Sequence, residues 1–172
     1  MPETSTSLSP TDERINGVSI SRQPTHYLLE SSLLIPRPLS ELTAFFGDPN
    51  NLDSLTPPWL NFRILTPQPI DMCVGALIDY QIRIHGIPIR WRTEITAWEP
   101  PHRFVDEQIS GPYRLWIHEH TFKEVDGGTL CGDRVAYWPR GGAFAHWLMV
   151  RRDILRIFTY RADRLRALFP AP

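Results

Sequence analysis

The sequence predicts an α+β fold, a curved seven-stranded antiparallel sheet around a long C-terminal helix, with two short helices between strands 1 and 2. Three observations predict it. Seven runs rich in β-branched and aromatic residues are set apart by turn-forming or proline-containing segments. The separators late in the chain are short enough for hairpins. After Pro139 the apolar period changes from that of a strand to that of a helix and stays there to Phe169.

Taken in order, Met1 to Pro10 is small, polar and proline-punctuated, with little to bury that would offset the entropy of ordering it. Residues 1–24 are therefore read as a disordered tail and 25–172 as a single domain. Tyr27 to Ile35 reads as the first strand, which Pro36 and Pro38 end. Leu39, Leu42, Phe45 and Phe46 then share one helical face, and Asn50 to Leu55 is a second short helical run before Pro57-Pro58. Six further strands follow over Asn61–Thr66, Gly75–His85, Ile87–Trp98, His102–Ile109, Tyr113–Glu124 and Gly128–Trp138. Between Phe144 and Phe169, the residues Trp147, Leu148, Ile154, Leu155, Phe158 and Leu165 complete one apolar stripe, and Pro170 closes the helix. Such a helix leaves room inside a strongly bent sheet, and that room is where a small molecule would bind.

Composition excludes several classes. With 172 residues, of which 42% are hydrophobic and 11% aromatic, the chain suits one buried core. Its 18 basic and 19 acidic side chains give a net charge of −1, too little field to mark a nucleic-acid binder. No run approaches the 18 or so apolar residues of a membrane-spanning helix. Cys73 and Cys131 make no disulfide framework, and the first residues lack the pattern of a secretory signal, so the expected location is the cytoplasm. Neither a nucleophile elbow, a phosphate loop nor a dinucleotide fingerprint is present.

Hairpin register predicts which side chains face inward. Across His85-Gly86, Tyr80 opposes Trp91 and Ile78 opposes Thr93. Across Asp126-Gly127, Phe122 opposes Cys131, His120 opposes Asp133, His118 opposes Val135 and Trp116 opposes Tyr137. Glu119 and Arg134 meet on the outer face, as an exposed ion pair. A turn at Ser110 to Pro112 adds Phe104, Asp106 and Gln108 to the interior, and Arg151 falls on the apolar stripe of the helix. The expected binding residues are accordingly Tyr80, Trp91, Trp116, Tyr137 and Trp147 as walls, with Asp106, Gln108, His118, His120, Asp133 and Arg151 as polar groups. Each polar group left buried and unpaired would cost about 1–3 kcal/mol, so they must bond one another, water or a ligand.

His118-Glu119-His120 puts two imidazoles on one side of a strand about 7 Å apart. With Asp133 they admit three readings: a two-His, one-carboxylate metal set, a structural His120/Asp133 hydrogen bond, or an acid/base pair in the cavity. The reading adopted assigns no metal, no cofactor and no fixed catalytic residue, with His120 and Asp133 as the catalytic candidates.

The stretch from Arg90-Trp91-Arg92 through Trp98-Glu99-Pro100-Pro101-His102-Arg103-Phe104, then Gly111-Pro112-Tyr113, Trp116-Ile117-His118-Glu119-His120 and Gly127-Gly128-Thr129 with Asp133-Arg134-Val135-Ala136-Tyr137, resembles bacterial proteins of the SRPBCC superfamily. These are START-like, helix-grip, polyketide-cyclase-like ligand-binding proteins, and the resemblance covers roughly residues 25 to 169. It implies a cavity for a hydrophobic small molecule between sheet and last helix and supplies no reaction. Some relatives are joined to reductase-like or epimerase-like domains, so that here such a partner would be a separate protein. The leading expectation is binding or carriage of a hydrophobic or aromatic molecule. The alternatives are a cofactor-independent cyclase, dehydratase or isomerase using a His-Asp pair, and a ligand-responsive regulatory module.

Overall fold

Residues 17–171 are described by the computed structural model. The strands are β1 (Val18–Arg22), β2 (Tyr27–Ile35), β3 (Arg63–Ile64), β4 (Leu77–Ile84), β5 (Ile87–Glu99), β6 (Arg103–Ser110), β7 (Tyr113–Val125) and β8 (Gly128–Pro139). They form one antiparallel sheet in the order β1-β2-β8-β7-β6-β5-β4-β3. Helices α1 (Leu39–Gly47) and α2 (Leu52–Leu55) lie between β2 and β3, as expected. After β8 come α3 (Gly142–Ala145), a π turn (His146–Val150) and α4 (Arg151–Leu168). Among the described residues, no helix is long and apolar enough to cross a membrane.

Among the described residues the sheet has eight strands rather than seven. The extra one, β1, lies inside the segment read as a tail: Val-Ser-Ile-Ser-Arg alternates like a strand, and Val18 and Ile20 are buried while its backbone extends β2. Residues 1–16 of that segment lie outside the described residues.

The hairpin registers agree with the alternation. Tyr80 stands opposite Trp91, His120 opposite Asp133, His118 opposite Val135 and Trp116 opposite Tyr137. At His85-Gly86 both residues have positive φ, 50° and 83°, the backbone that lets a two-residue turn follow the twist of its strands. The β5–β6 pairing is interrupted twice, between Arg92/Ser110 and Thr93/Gln108 and again between Ile95/Asp106 and Ala97/Val105, while Trp91 and Thr93 keep Tyr80 and Ile78 opposite them on β4. Glu119 and Arg134 are also opposite one another, yet the expected pair between them gives way to other partners: Glu119 binds Arg103 at 2.5 Å and Arg134 approaches Glu30 at 3.6 Å.

Two apolar clusters fill the concave face. One gathers Leu29, Trp91, Tyr113, Val135, Tyr137, Ile154 and Phe158. The other gathers Ile35, Leu42, Leu55, Phe104, Phe122, Cys131 and Leu165, so α1 and α2 cover the C-terminal half of α4. Burying each large side chain contributes about 1.5–3 kcal/mol, which is what holds the helix in the sheet.

The long helical segment departs from a uniform α-helix at one place. A π turn takes up about one residue more than an α turn, so everything before it is rotated relative to the α-helical stripe. His146 is turned inward and buried, while Trp147 is 75% exposed and Phe144, Leu148 and Met149 are exposed with it. The expectation that Trp147 forms a wall of the cavity is therefore corrected: uniform α periodicity puts it in line with Ile154, and the π turn removes it.

Candidate functional site

Between sheet and α4 lies a cavity of about 200 Å³, larger than the ~150 Å³ apolar void that accommodates benzene. Alternation on β4 and β5 brings Ile78, Tyr80, Ile82, Trp91 and Thr93 to its floor. Tyr113 and Trp116 come from β7, Ile154, Ile157 and Phe158 from α4, and Phe45, Phe46, Leu52 and Leu55 from the α1–α2 segment. The aromatic rings are mutually packed, Tyr80 stacked on Trp91 at 5.7 Å and Trp116 edge-on to Trp91 at 5.2 Å. The indole Nε1 of Trp91 is buried and has no hydrogen-bond partner among the described residues.

A charged cluster lies between the two apolar clusters and contributes Asp106, His118, His120 and Arg161 to the cavity's wall. On β7, His118 and His120 point to the same face because they are two residues apart, with Trp116 before them and Phe122 after. Asp106 comes from the neighbouring β6, Asp133 from β8 and Arg161 from α4, where it falls between Phe158 and Leu165. The imidazoles and carboxylates pair crosswise. Asp133 Oδ1 is 2.9 Å from His118 Nε2 and 3.2 Å from His120 Nδ1, while Asp106 Oδ2 is 2.9 Å from His120 Nε2 and 3.6 Å from His118 Nδ1. Arg161 Nη2 is 3.4 Å from Asp133 Oδ1 and 3.3 Å from His120 Nδ1, and the Ser31 hydroxyl donates to Asp133 Oδ2 at 3.2 Å.

Burial and partners set the charges. Burial would raise the Asp133 carboxyl, but the Arg161 charge and the hydrogen bonds with both imidazoles outweigh it and hold it well below the usual carboxylate range. Asp106 is lowered too, its burial outweighed by the hydrogen bond from His120 and the charges of the two imidazoles. The histidines diverge. Burial and the neighbouring His120 lower His118, whereas for His120 the hydrogen bonds to Asp106 and Asp133 overcome burial and raise it. The wall thus offers an imidazole that favours its proton beside one that favours losing it.

No protein-family model matches the sequence, and no curated protein is similar to it in sequence. Solved structures are similar in fold. Protein Ms6760 from Mycobacterium smegmatis superposes with a TM-score of 0.65 at 19% identity, over 88% of this chain and 96% of that one. The major latex-like protein 151 of Panax ginseng gives 0.63 at 12% identity, over 84% and 97%. The Polyketide_cyc-like protein Cgl2372 from Corynebacterium glutamicum gives 0.52 at 18% identity, over 86% and 92%. The fold is the helix-grip fold.

Within this helix-grip domain the expected binding residues divide. Tyr80, Trp91, Asp106, Trp116, His118 and His120 line the cavity. Asp133 lies behind the two histidines, against a small recess beneath Ser31, Gly132 and Arg161. Gln108 spans the β6–β7 turn instead, donating to Tyr113 O at 2.8 Å and accepting from Tyr113 N at 3.2 Å. Tyr137 is fully buried core, its hydroxyl 3.0 Å from His146 Nε2. Arg151 sits near that pair: burial raises Tyr137, which the Arg151 charge only partly offsets, while burial and that same charge lower His146. The arginine that reaches the carboxylates is Arg161. Its position was legible: seven residues after Ile154 and three after Phe158, it stands on the apolar stripe, where a charged side chain needs a buried partner.

Proposed function

We propose that the protein binds a small, hydrophobic, aromatic molecule carrying one polar end, held between sheet and α4 and carried or presented rather than transformed. The observation behind this reading is the cavity's mixed lining: aromatic walls at Tyr80, Trp91 and Trp116, with the Asp106, His118, His120 and Arg161 groups gathered among apolar side chains. The unpaired Trp91 indole N–H supports it, because such a group costs about 1–3 kcal/mol until an acceptor reaches it. The fold shared with a polyketide-cyclase-like protein agrees with an enclosed small-molecule site.

The test is native mass spectrometry of the purified protein, followed by calorimetric titration with hydroxynaphthoic acids as probes. Trp116→Ala is expected to weaken probe binding at least tenfold, a loss of about 1.4 kcal/mol. Trp147→Ala is expected to leave it unchanged. Equal affinity of wild type and folded Trp116→Ala removes the assignment.

One observation favours a second reading. Adjacent imidazoles with opposite proton preference suit proton transfer on a bound molecule, as in a cyclase, dehydratase or isomerase. A substrate turned over by the protein would show a pH–rate profile that His120→Gln abolishes. Full activity of that variant would exclude the reading.

A further inference from the structure

The four ring nitrogens of His118 and His120 sort into two pairs. Nε2 of His118 and Nδ1 of His120 both face a single oxygen, Asp133 Oδ1, at 2.9 and 3.2 Å. The remaining two, Nδ1 of His118 and Nε2 of His120, both face Asp106 Oδ2, at 3.6 and 2.9 Å. One oxygen and two nitrogens of Asp106, His118 and His120 all lie within 4.8 Å of one another. These three residues border the cavity, and Asp133 sits behind them.

This division is what a metal centre requires. A metal-bound imidazole donates its second N–H to a carboxylate, which fixes the tautomer and aims the free nitrogen. Here Asp133 Oδ1 is hydrogen-bonded to His118 Nε2 and lies 3.2 Å from His120 Nδ1, beside the Arg161 guanidinium. Donors placed about 2.0–2.1 Å from one ion stand roughly 2.9–3.4 Å apart at octahedral to tetrahedral angles, and the two separations measured to Asp106 Oδ2 lie at and slightly beyond that interval. The contacts of Arg161 Nη2 are to Asp133 Oδ1 at 3.4 Å and to His120 Nδ1 at 3.3 Å.

We propose that Asp106 Oδ2, His118 Nδ1 and His120 Nε2 bind a divalent first-row transition ion, with Asp133 as the positioning residue for both imidazoles and the ion's open coordination positions turned to the cavity. The carboxylate is Asp106, contributed by β6, rather than the Asp133 that hairpin register places opposite His120. Two histidines and one carboxylate suit such ions and leave positions for an oxygen donor of a bound molecule. The site borders the cavity of the proposed function but does not require an organic ligand.

The experiment is titration of chelator-stripped full-length protein with Co²⁺, read by its visible absorption, and displacement by Zn²⁺. One equivalent is expected to bind, at micromolar concentration or tighter. Asp106→Asn and His120→Gln are each expected to lose the band, and Asp133→Asn to weaken binding about 10–100-fold through the lost orientation. His102→Gln and His85→Gln are expected to bind as wild type. No band in Co²⁺ excess, or a band that persists in folded Asp106→Asn and His120→Gln, overturns the proposal. Should those variants not fold, the wild-type protein decides: Co²⁺ must perturb the ring resonances of His118 and His120, and perturbation confined to His26, His85 or His102 overturns it. The organic probes are titrated separately with chelator present, so failure of the aromatic-ligand reading and failure of the metal site are told apart.

Discussion

His146 shows how one buried side chain makes stability depend on pH. Its ring stacks on Tyr27 with centroids 3.4 Å apart, and the Tyr137 hydroxyl lies 3.0 Å from Nε2, a hydrogen bond that a neutral ring can make. Burial, reinforced by the charges of Arg151 and Arg22, pushes it down from 6.5 to about 4. The unfolded chain therefore takes up a proton before the folded one does. The stability contributed by the neutral ring is full above the unfolded value and is lost as pH falls through the interval from 6.5 to about 4. Thermal unfolding across that interval is expected to fall more steeply for wild type than for His146→Gln. Parallel curves would show that the ring is not held neutral. Sequence could not supply this residue, because uniform α periodicity places Trp147, not His146, on the buried stripe.

At the scale of elements, adjacent glycines that look alike in sequence do different work. Gly127 turns the β7–β8 hairpin with φ 88° and has open space around its Cα, so Gly127→Ala is expected to cost only about 1 kcal/mol of backbone strain. Gly128 has φ 143° and lies against the end of β2, where a Cβ would run into the carbonyl oxygen of Ile35. Gly128→Ala is expected to destabilise by more than about 2 kcal/mol in urea unfolding, since the strained backbone and the clash add. Equal losses would mean that β2 and β8 do not approach so closely. Strand facing was legible because a period of two and two-residue turns leave little choice of register, as Tyr80/Trp91 and His120/Asp133 illustrate. The pairing of His120 was less so. Register names the residue opposite, whereas long side chains also reach diagonally, and the diagonal contact to Asp106 is the shorter one. The strand β1 was missed because five residues with two serines carry too weak an apolar signal until β2 is there to receive them.

Across the whole molecule, the space between sheet and helix is the property the proposed function rests on, and it can be filled from the helix side. Ile157 of α4 borders the cavity. Ile157→Trp is expected to abolish binding of aromatic probes while leaving the unfolding midpoint in urea close to wild type, because the added ring occupies existing space instead of forcing packed neighbours apart. Retained probe affinity would place the binding site elsewhere. The cavity's existence followed from the mismatch between a bent sheet and one helix, but its charged wall also depends on Arg161, which the sequence reading did not name. The order of strands carries a different kind of consequence, in the history of the chain. Strands β4 to β8 follow one another in sequence and in space, so each hairpin is assembled from near neighbours. The partner of β8 on its other side is β2, with Tyr27 brought against Tyr137 from the far end of the domain. The loop closed by that pairing is the longest in the sheet, and loop-closure entropy delays it. Synthesis from the N-terminus makes β2 early and β8 late, so β1 and β2 wait through most of translation for the edge that completes them.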